Sequence, residues 1–217
     1  MKVKACLFDL DGVLVDTARF HFLAWRKLAV ELGFEFTEAD NEQLKGVSRM
    51  DSLEILLRIG KKSLTQEEKD RYAAEKNEVY LGYVKQMTPA DILPGVTEFL
   101  SEVRKNQIMI GLGSASKNAR LILERTGIVT LFDVIVDGNL ITHAKPDPEV
   151  FAMGAQLLEI ENKACIVFED AVAGVQAAHN AGMKCIGIGS PEILGEADMV
   201  LPGFLNLKLA DLDLVFS

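Results

Sequence analysis

From Pro94 onward the chain alternates between helical and strand-like patterning, and that alternation leaves one fold class open. Helical spacing over Val96 to Lys105 gives way to an apolar, β-prone run at Ile108 to Gly113. A helix over Ala119 to Thr126, stopped by Gly127, leads to a strand at Phe132 to Val136 and a helix at Glu149 to Leu158. A strand at Cys165 to Phe168 precedes a helix at Val172 to Ala181 stopped by Gly182, then a strand at Cys185 to Ile188 and a short candidate at Met199 to Leu201. Strands that alternate with helices form βαβ units, whose crossovers lay the strands parallel and cover the sheet with helices. The apolar run Val3 to Leu10 is strand-like too and belongs to the same sheet.

Between that first strand and the alternating part lies a block with helical periodicity only. Phe20, Phe22, Leu23, Trp25, Leu28, Ala29 and Leu32 recur at helical spacing up to Gly33. Thr37-Glu38-Ala39-Asp40 and Thr65-Gln66-Glu67-Glu68 have the pattern of capping boxes. The spacing predicts one helix from about Met50 to Ile59, stopped by Gly60, and a long one running to about Met87. The expected architecture is therefore α/β, a Rossmann-like parallel-sheet core with an inserted all-helical domain. The core would comprise residues 1–15 and 89–217, and the insertion residues 16–88. Thr88-Pro89-Ala90-Asp91 breaks the helical pattern and is a candidate hinge.

A net charge of −9 over 217 residues argues against nucleic acid or an anionic membrane as the main partner. An anionic substrate would need a local basic pocket set against that field. Cys6, Cys165 and Cys185 lie in apolar strand-like runs without metal-ligand spacing, as expected of buried small hydrophobes in a reducing compartment. Asp9 interrupts the N-terminal apolar run, which is too short for a signal peptide or membrane span, so a cytoplasmic protein is expected.

All strands of a parallel sheet deliver their carboxyl ends to one edge, where ligands bind. The first strand brings Asp9 and Asp11 there, spaced to share one side of an extended backbone, and the second brings Ser114-Ala115-Ser116-Lys117-Asn118. The loop after the third carries Lys145-Pro146, and the fourth ends in Glu169-Asp170. Singly, each has a plain reading: Ser114 and Ser116 as helix caps, Lys145 as a solvated loop residue, Glu169-Asp170 as acids at a helix N-terminus. Together they fit phosphoryl transfer. Acids from two strands can hold Mg²⁺, Ser114, backbone amides near Ala115 and Lys145 can neutralise phosphoryl oxygens, and Asp9 can attack phosphorus. Gly111-Leu112-Gly113-Ser114-Ala115-Ser116 also resembles a dinucleotide-binding turn, but Ser replaces the third glycine and the turn is not in the first βαβ unit. A signalling receiver domain gathers similar groups, yet its length leaves the helical block unexplained.

Asp9-Leu10-Asp11-Gly12-Val13, Ser114-Ala115-Ser116, Lys145-Pro146 and Glu169-Asp170 resemble, in order, the four motifs of the haloacid dehalogenase superfamily of phosphotransferases. Residues 16–88 then correspond to that family's helical cap. Lys45-Gly46-Val47-Ser48-Arg49 and Ser116-Lys117-Asn118 are similar to the family's sugar-phosphate mutases. The resemblance implies a Mg²⁺ enzyme that interconverts β-glucose 1-phosphate and glucose 6-phosphate, primed by β-D-glucose 1,6-bisphosphate. A sugar-phosphate phosphatase with the same nucleophile is the alternative. Asp9 would accept the phosphoryl group, Asp11 would act as general acid and base, and Thr17 would steer Asp11. Asp9, the Asp11 carbonyl and Asp170 would bind the metal, with Glu169 at or near it. Ser114, Ala115 and Lys145 would hold the transferring phosphate. Arg49, Ser116, Lys117 and Asn118 would hold the second phosphate, and Gly46 and Val47 would line the sugar site. His21 and Lys76 would form a cap-side gating pair, and Lys45 and Trp25 would face the substrate from the cap. Small-molecule sugar phosphates are the expected partners, and the expected state is a monomer. Gly111 and Gly113 depart from the pattern and are expected to loosen the second strand.

Overall fold

The computed structural model describes residues 3–216. Six parallel strands, β1 (Ala5–Phe8), β2 (Met109–Gly113), β3 (Val134–Val136), β4 (Cys165–Glu169), β5 (Lys184–Ile188) and β6 (Met199–Leu201), lie in the order β3-β2-β1-β4-β5-β6. The chain passes from β1 to one side of the sheet and returns to β4 on the other. The reversal of strand order therefore falls between β1 and β4, where the splayed loops of a doubly wound sheet open a crevice. Leu7 pairs with Gly111 on one side and Val167 on the other.

Both faces of the sheet are covered, which explains the near-continuous apolar character of its central strands. Cys6 and Phe8 point into a cluster with Phe99 of α5 (Val96–Lys105), Phe168 and Phe204, in which Phe8 stacks on Phe168 at 4.7 Å. Ala5 and Leu7 point the other way, toward Val150 and Phe151 of α7 (Glu149–Leu157) and Val175 of α8 (Val172–Asn180). Period-two alternation thus sorts one strand between two hydrophobic layers. Cys6, Cys165 and Cys185 are free and buried, as expected.

The helical cap comprises α1 (Ala18–Glu31), α2 (Glu38–Asn41), α3 (Arg49–Ile59) and α4 (Gln66–Val84), packed around Trp25, Leu28, Phe36, Leu53, Leu56 and Leu57. Both capping boxes form, with Thr37 and Thr65 each exchanging bonds with the residue three ahead. Tyr80, Val84 and Met87 belong instead to the sheet-side cluster, so the end of α4 is anchored on the core. The two chain crossings run side by side: Asp16 N–H donates to Asp91 O at 3.0 Å and Leu93 N–H to Leu14 O at 3.0 Å. Arg19 reaches Asp91 at 2.8 Å across them. No helix among the described residues is long and apolar enough to cross a membrane.

Three expectations need correction. Ala5 to Leu10 is buried, but ladder pairing ends at Phe8; Gly12, at φ +83°, turns its N–H onto Val15 O at 2.9 Å. The turn at Gly12 follows both Asp9 and Asp11, and both residues line the same cavity. The long helix ends at Val84, three residues early. Gly111 and Gly113 tighten the second strand rather than loosen it. A Cβ at Gly111 would lie 2.5 Å from Leu7 Cδ2 and one at Gly113 2.7 Å from Phe151 Cδ1, so each glycine admits a core side chain.

Candidate active site

At the carboxyl end of β1, Asp9 is 5% exposed and accepts a bond from Lys145 Nζ at 2.5 Å. The same ammonium donates to Glu169 Oε2 at 2.8 Å, and Lys145 itself is 2% exposed. Glu169 Oε1 accepts the N–H groups of Asp170 at 3.2 Å and Ala171 at 3.1 Å, so both its oxygens are engaged. Burial works against the Lys145 charge, but Asp9 and Glu169 outweigh it and hold the ammonium above its ordinary range. The solvated-loop reading of Lys145 is therefore excluded by its burial.

Asp11 turns toward the cap. Its Oδ1 accepts the hydroxyl of Thr17, which is fully buried at the start of α1, and that of Tyr80 on α4 at 3.4 Å. Burial, then the charge of Asp9, raises the Asp11 carboxyl to about 6. His21 Nε2 lies 3.7 Å from the same oxygen, and its Nδ1 lies 3.0 Å from Lys76 Nζ. Burial and then the charges of Lys76 and Arg49 hold His21 well below its ordinary range. A neutral imidazole that accepts from Lys76 at Nδ1 carries its proton on Nε2, facing Asp11. Lys76 is 4% exposed, with Nζ 4.4 Å from the Trp25 ring centre and 4.9 Å from that of Tyr80. Burial, then repulsion from Arg49, brings Lys76 down to about 7.

A cavity of about 440 Å³ separates the sheet edge from the cap. Asp9, Asp11, Ser114, Ala115, Ser116, Lys117, Asn118 and Asp170 line it from the core, and His21, Trp25, Lys45, Gly46, Val47, Arg49 and Lys76 from the cap. Thr17, Lys145 and Glu169 stand behind that lining and act on it through hydrogen bonds. Gly46, at φ +74°, brings the cap loop against the core; a Cβ there would lie 3.3 Å from Ala171 Cβ. Lys45 Nζ crosses to Asp170 Oδ2 at 3.3 Å while holding Glu42 at 3.1 Å. Ser114 and Ser116 also behave as turn residues, accepting N–H bonds from Ser116 at 3.1 Å and Asn118 at 3.2 Å.

Asp9, Glu169 and Asp170 each place a carboxylate oxygen within 4.8 Å of the others, a hard, all-oxygen set suited to a divalent cation. The Asp11 carboxylate is not in that group, so Asp11 could join a metal only through its backbone carbonyl. Burial, followed by attraction to lysine and repulsion from neighbouring carboxylates, leaves Glu169 and Asp170 above their ordinary values. That is the expected condition of clustered acids short of positive charge. His143, Asp147 and Glu149 also approach one another. There Glu149 is committed to the N–H groups of Thr142 and His143, which makes it a loop clamp.

Among the residues that sequence reasoning missed are Tyr80 and Asn77. Tyr80 reads in sequence as one more apolar position of α4, and Asn77 as part of its polar face. Each meets the core across the cleft: Tyr80 through Asp11, and Asn77 Oδ1 through Asn118 Nδ2 at 3.1 Å.

The chain is similar to known proteins over nearly its whole length. The β-phosphoglucomutase of Bacillus subtilis is 40% identical over 95% of this chain and 92% of its own. A crystal structure of β-phosphoglucomutase from Clostridium difficile is similar at a TM-score of 0.94 and 43% identity, covering 99% of this chain and 97% of that one. A phosphorylated carbohydrates phosphatase of Thermotoga maritima is 32% identical over 85% of this chain and 84% of its own. The model of the haloacid dehalogenase-like hydrolases matches residues 3–182. With its four strand-end motifs gathered on one sheet edge beneath a helical cap, this chain belongs to the haloacid dehalogenase-like family.

Proposed function

We propose that this protein is a Mg²⁺-dependent β-phosphoglucomutase, interconverting β-D-glucose 1-phosphate and D-glucose 6-phosphate through β-D-glucose 1,6-bisphosphate. The observation that supports the reading is one cavity lined at the sheet edge and again between cap and core by groups suited to hold phosphate. Asp9, Ser114 and Lys145 gather at the sheet edge, while Arg49 on the cap and Ser116, Lys117 and Asn118 on the core face the rest of the cavity. A hydrolase needs one such set. A mutase must grip the phosphate it is not moving.

In this reading residues 1–15 and 89–217 form the core and residues 16–88 the cap domain. Asp9 attacks phosphorus and carries the phosphoryl group, and Lys145 balances charge on Asp9 and on the moving oxygens. Asp11 removes a proton from the accepting sugar hydroxyl and returns it to the other, while Thr17 and Tyr80 orient its carboxylate. Asp9, the Asp11 carbonyl and Asp170 would hold Mg²⁺, with Glu169 beside it. The clustered carboxylates fit such an ion, which when bound supplies positive charge to the phosphoryl oxygens. The cap excludes water, so the sugar hydroxyl competes for the aspartyl-phosphate. The enzyme is taken as a cytoplasmic monomer acting on small sugar phosphates.

The phosphatase alternative is favoured by the Thermotoga relative. One time course separates the two, with glucose 6-phosphate and inorganic phosphate assayed in parallel on β-glucose 1-phosphate. A mutase shows a lag that a trace of glucose 1,6-bisphosphate abolishes, then accumulates glucose 6-phosphate. Stoichiometric phosphate release without isomerisation makes the protein a phosphatase.

A further inference from the structure

One contact on the cavity wall joins cap to core through two neutral amides. Asn77 on α4 and Asn118, which precedes α6 (Ala119–Thr126), both line the cavity, and Asn118 Nδ2 donates to Asn77 Oδ1 at 3.1 Å. Exchanging the assigned nitrogen and oxygen of both side chains leaves the pairing intact, because an amide pair needs one donor and one acceptor. On α4 the cavity is also lined by Asp70, Ala73, Ala74 and Lys76.

The bond uses one hydrogen of the Asn118 amide and one acceptor position on Asn77. Among the described residues this leaves the second Asn118 N–H and both N–H groups of Asn77, on residues that line the same cavity as Ser116 and Lys117. Asn118 N–H meanwhile donates to Ser116 Oγ at 3.2 Å, so the Asn118 backbone is held from the core side. Its side chain has one recorded protein partner among the described residues, and that partner is on the cap.

We propose that Asn77 is a positioning residue for the second, non-transferring phosphate. It holds the Asn118 amide in the orientation that receives the anion, and so ties closure of the cleft to occupancy of that subsite. The inference rests on the two-phosphate reading above. Without Asn77 the Asn118 amide turns freely, the bisphosphate is held less well while it reorients, and water reaches the aspartyl-phosphate more often.

The test is a double-mutant cycle of Asn77→Ala and Asn118→Ala, with KM, kcat and the ratio of phosphate released to glucose 6-phosphate formed. Asn118→Ala should raise KM by about tenfold or more, as loss of a contact to a charged group does, and Asn77→Ala by about two- to tenfold, as loss of a neutral amide bond does, each with a smaller fall in kcat and a higher phosphate ratio. The double variant should be little worse than Asn118→Ala alone, because Asn77 acts only through Asn118. Asn77→Asp keeps an acceptor for Asn118 but sets a negative charge beside the anion, and should raise KM further than Asn77→Ala. Multiplicative effects of the two alanine substitutions, or an unchanged KM and phosphate ratio in Asn77→Ala, would overturn the proposal. So would a fall in melting temperature of Asn77→Ala matched by loss of kcat alone, since the residue would then serve the fold. If the wild-type enzyme proves to be a phosphatase, the mutase reading fails, and the same cycle run on bisphosphate hydrolysis still decides the role of Asn77.

Discussion

Lys145 Nζ lies 2.5 Å from Asp9 Oδ1 although 136 residues separate the two in the chain. The ammonium is wholly enclosed and also serves Glu169. Its pocket holds two carboxylates that would otherwise be buried without compensation. Lys145→Ala should therefore cost about 3–5 kcal/mol of stability, as the loss of one partner from a buried ion pair does, besides removing most turnover. Chemical denaturation with and without Mg²⁺ checks this. A variant as stable as wild type without metal contradicts the electrostatic role.

Bound cation should report on the carboxylate cluster directly. A ligand of the native state at a hundred times its dissociation constant stabilises by about 2.7 kcal/mol, and a chain of this size gains about 2–4 °C of melting temperature per kcal/mol. Mg²⁺ should raise the melting temperature in a saturable way, and Asp170→Asn should remove most of that shift. An equal shift in Asp170→Asn would place the metal elsewhere.

The two aspartates of the first motif should fail differently, since the structure turns them to different partners. Asp9→Asn should abolish turnover, because an amide neither attacks phosphorus nor carries the charge. Asp11→Asn should keep Mg²⁺ binding, which uses at most its carbonyl, while proton transfer slows by ~10²–10⁴-fold. Calorimetric Mg²⁺ titration of Asp11→Asn, set beside its rate, is the measurement; loss of metal binding would refute the division of roles.

Lys76 makes stability depend on pH. Its folded value of about 7 lies below the ordinary 10.5, so between these values the unfolded chain binds the extra proton. Stability from this group therefore rises as pH climbs from about 7 toward 10.5, and the cost of burying its charge is fully present below about 7. Each unit of depression is worth about 1.4 kcal/mol. Lys76→Met should be more stable than wild type at pH 6, with the gap closing by pH 10. Parallel denaturation curves across that range would show whether the ammonium is strained; an unchanged gap means that it is not.

Much of the site was legible because its chemistry sits at strand ends. Asp9, Ser114 and Glu169-Asp170 each follow an apolar run whose direction a parallel sheet imposes, so a linear reading already gathers them. Lys145 was placed in the right loop but read singly as solvated, because nothing in Ala144-Lys145-Pro146 says that two buried acids await it. Tyr80 and Asn77 carried no signal at all. An aromatic at a helical apolar position and an amide on a polar face are ordinary residues of α4.

The amino-acid sequence by itself determined the order of strands and helices, the capping of the cap helices and the four strand-end motifs. All of these follow from local periodicity and backbone chemistry. Tertiary structure alone decided which partners those groups meet: that Lys145 is enclosed between Asp9 and Glu169, and that α4 lies where Tyr80 reaches Asp11 and Asn77 reaches Asn118. Those contacts join residues 24 to 136 positions apart. They depend on how the cap helices seat on the sheet edge, and packing of that kind leaves no periodic trace in the chain.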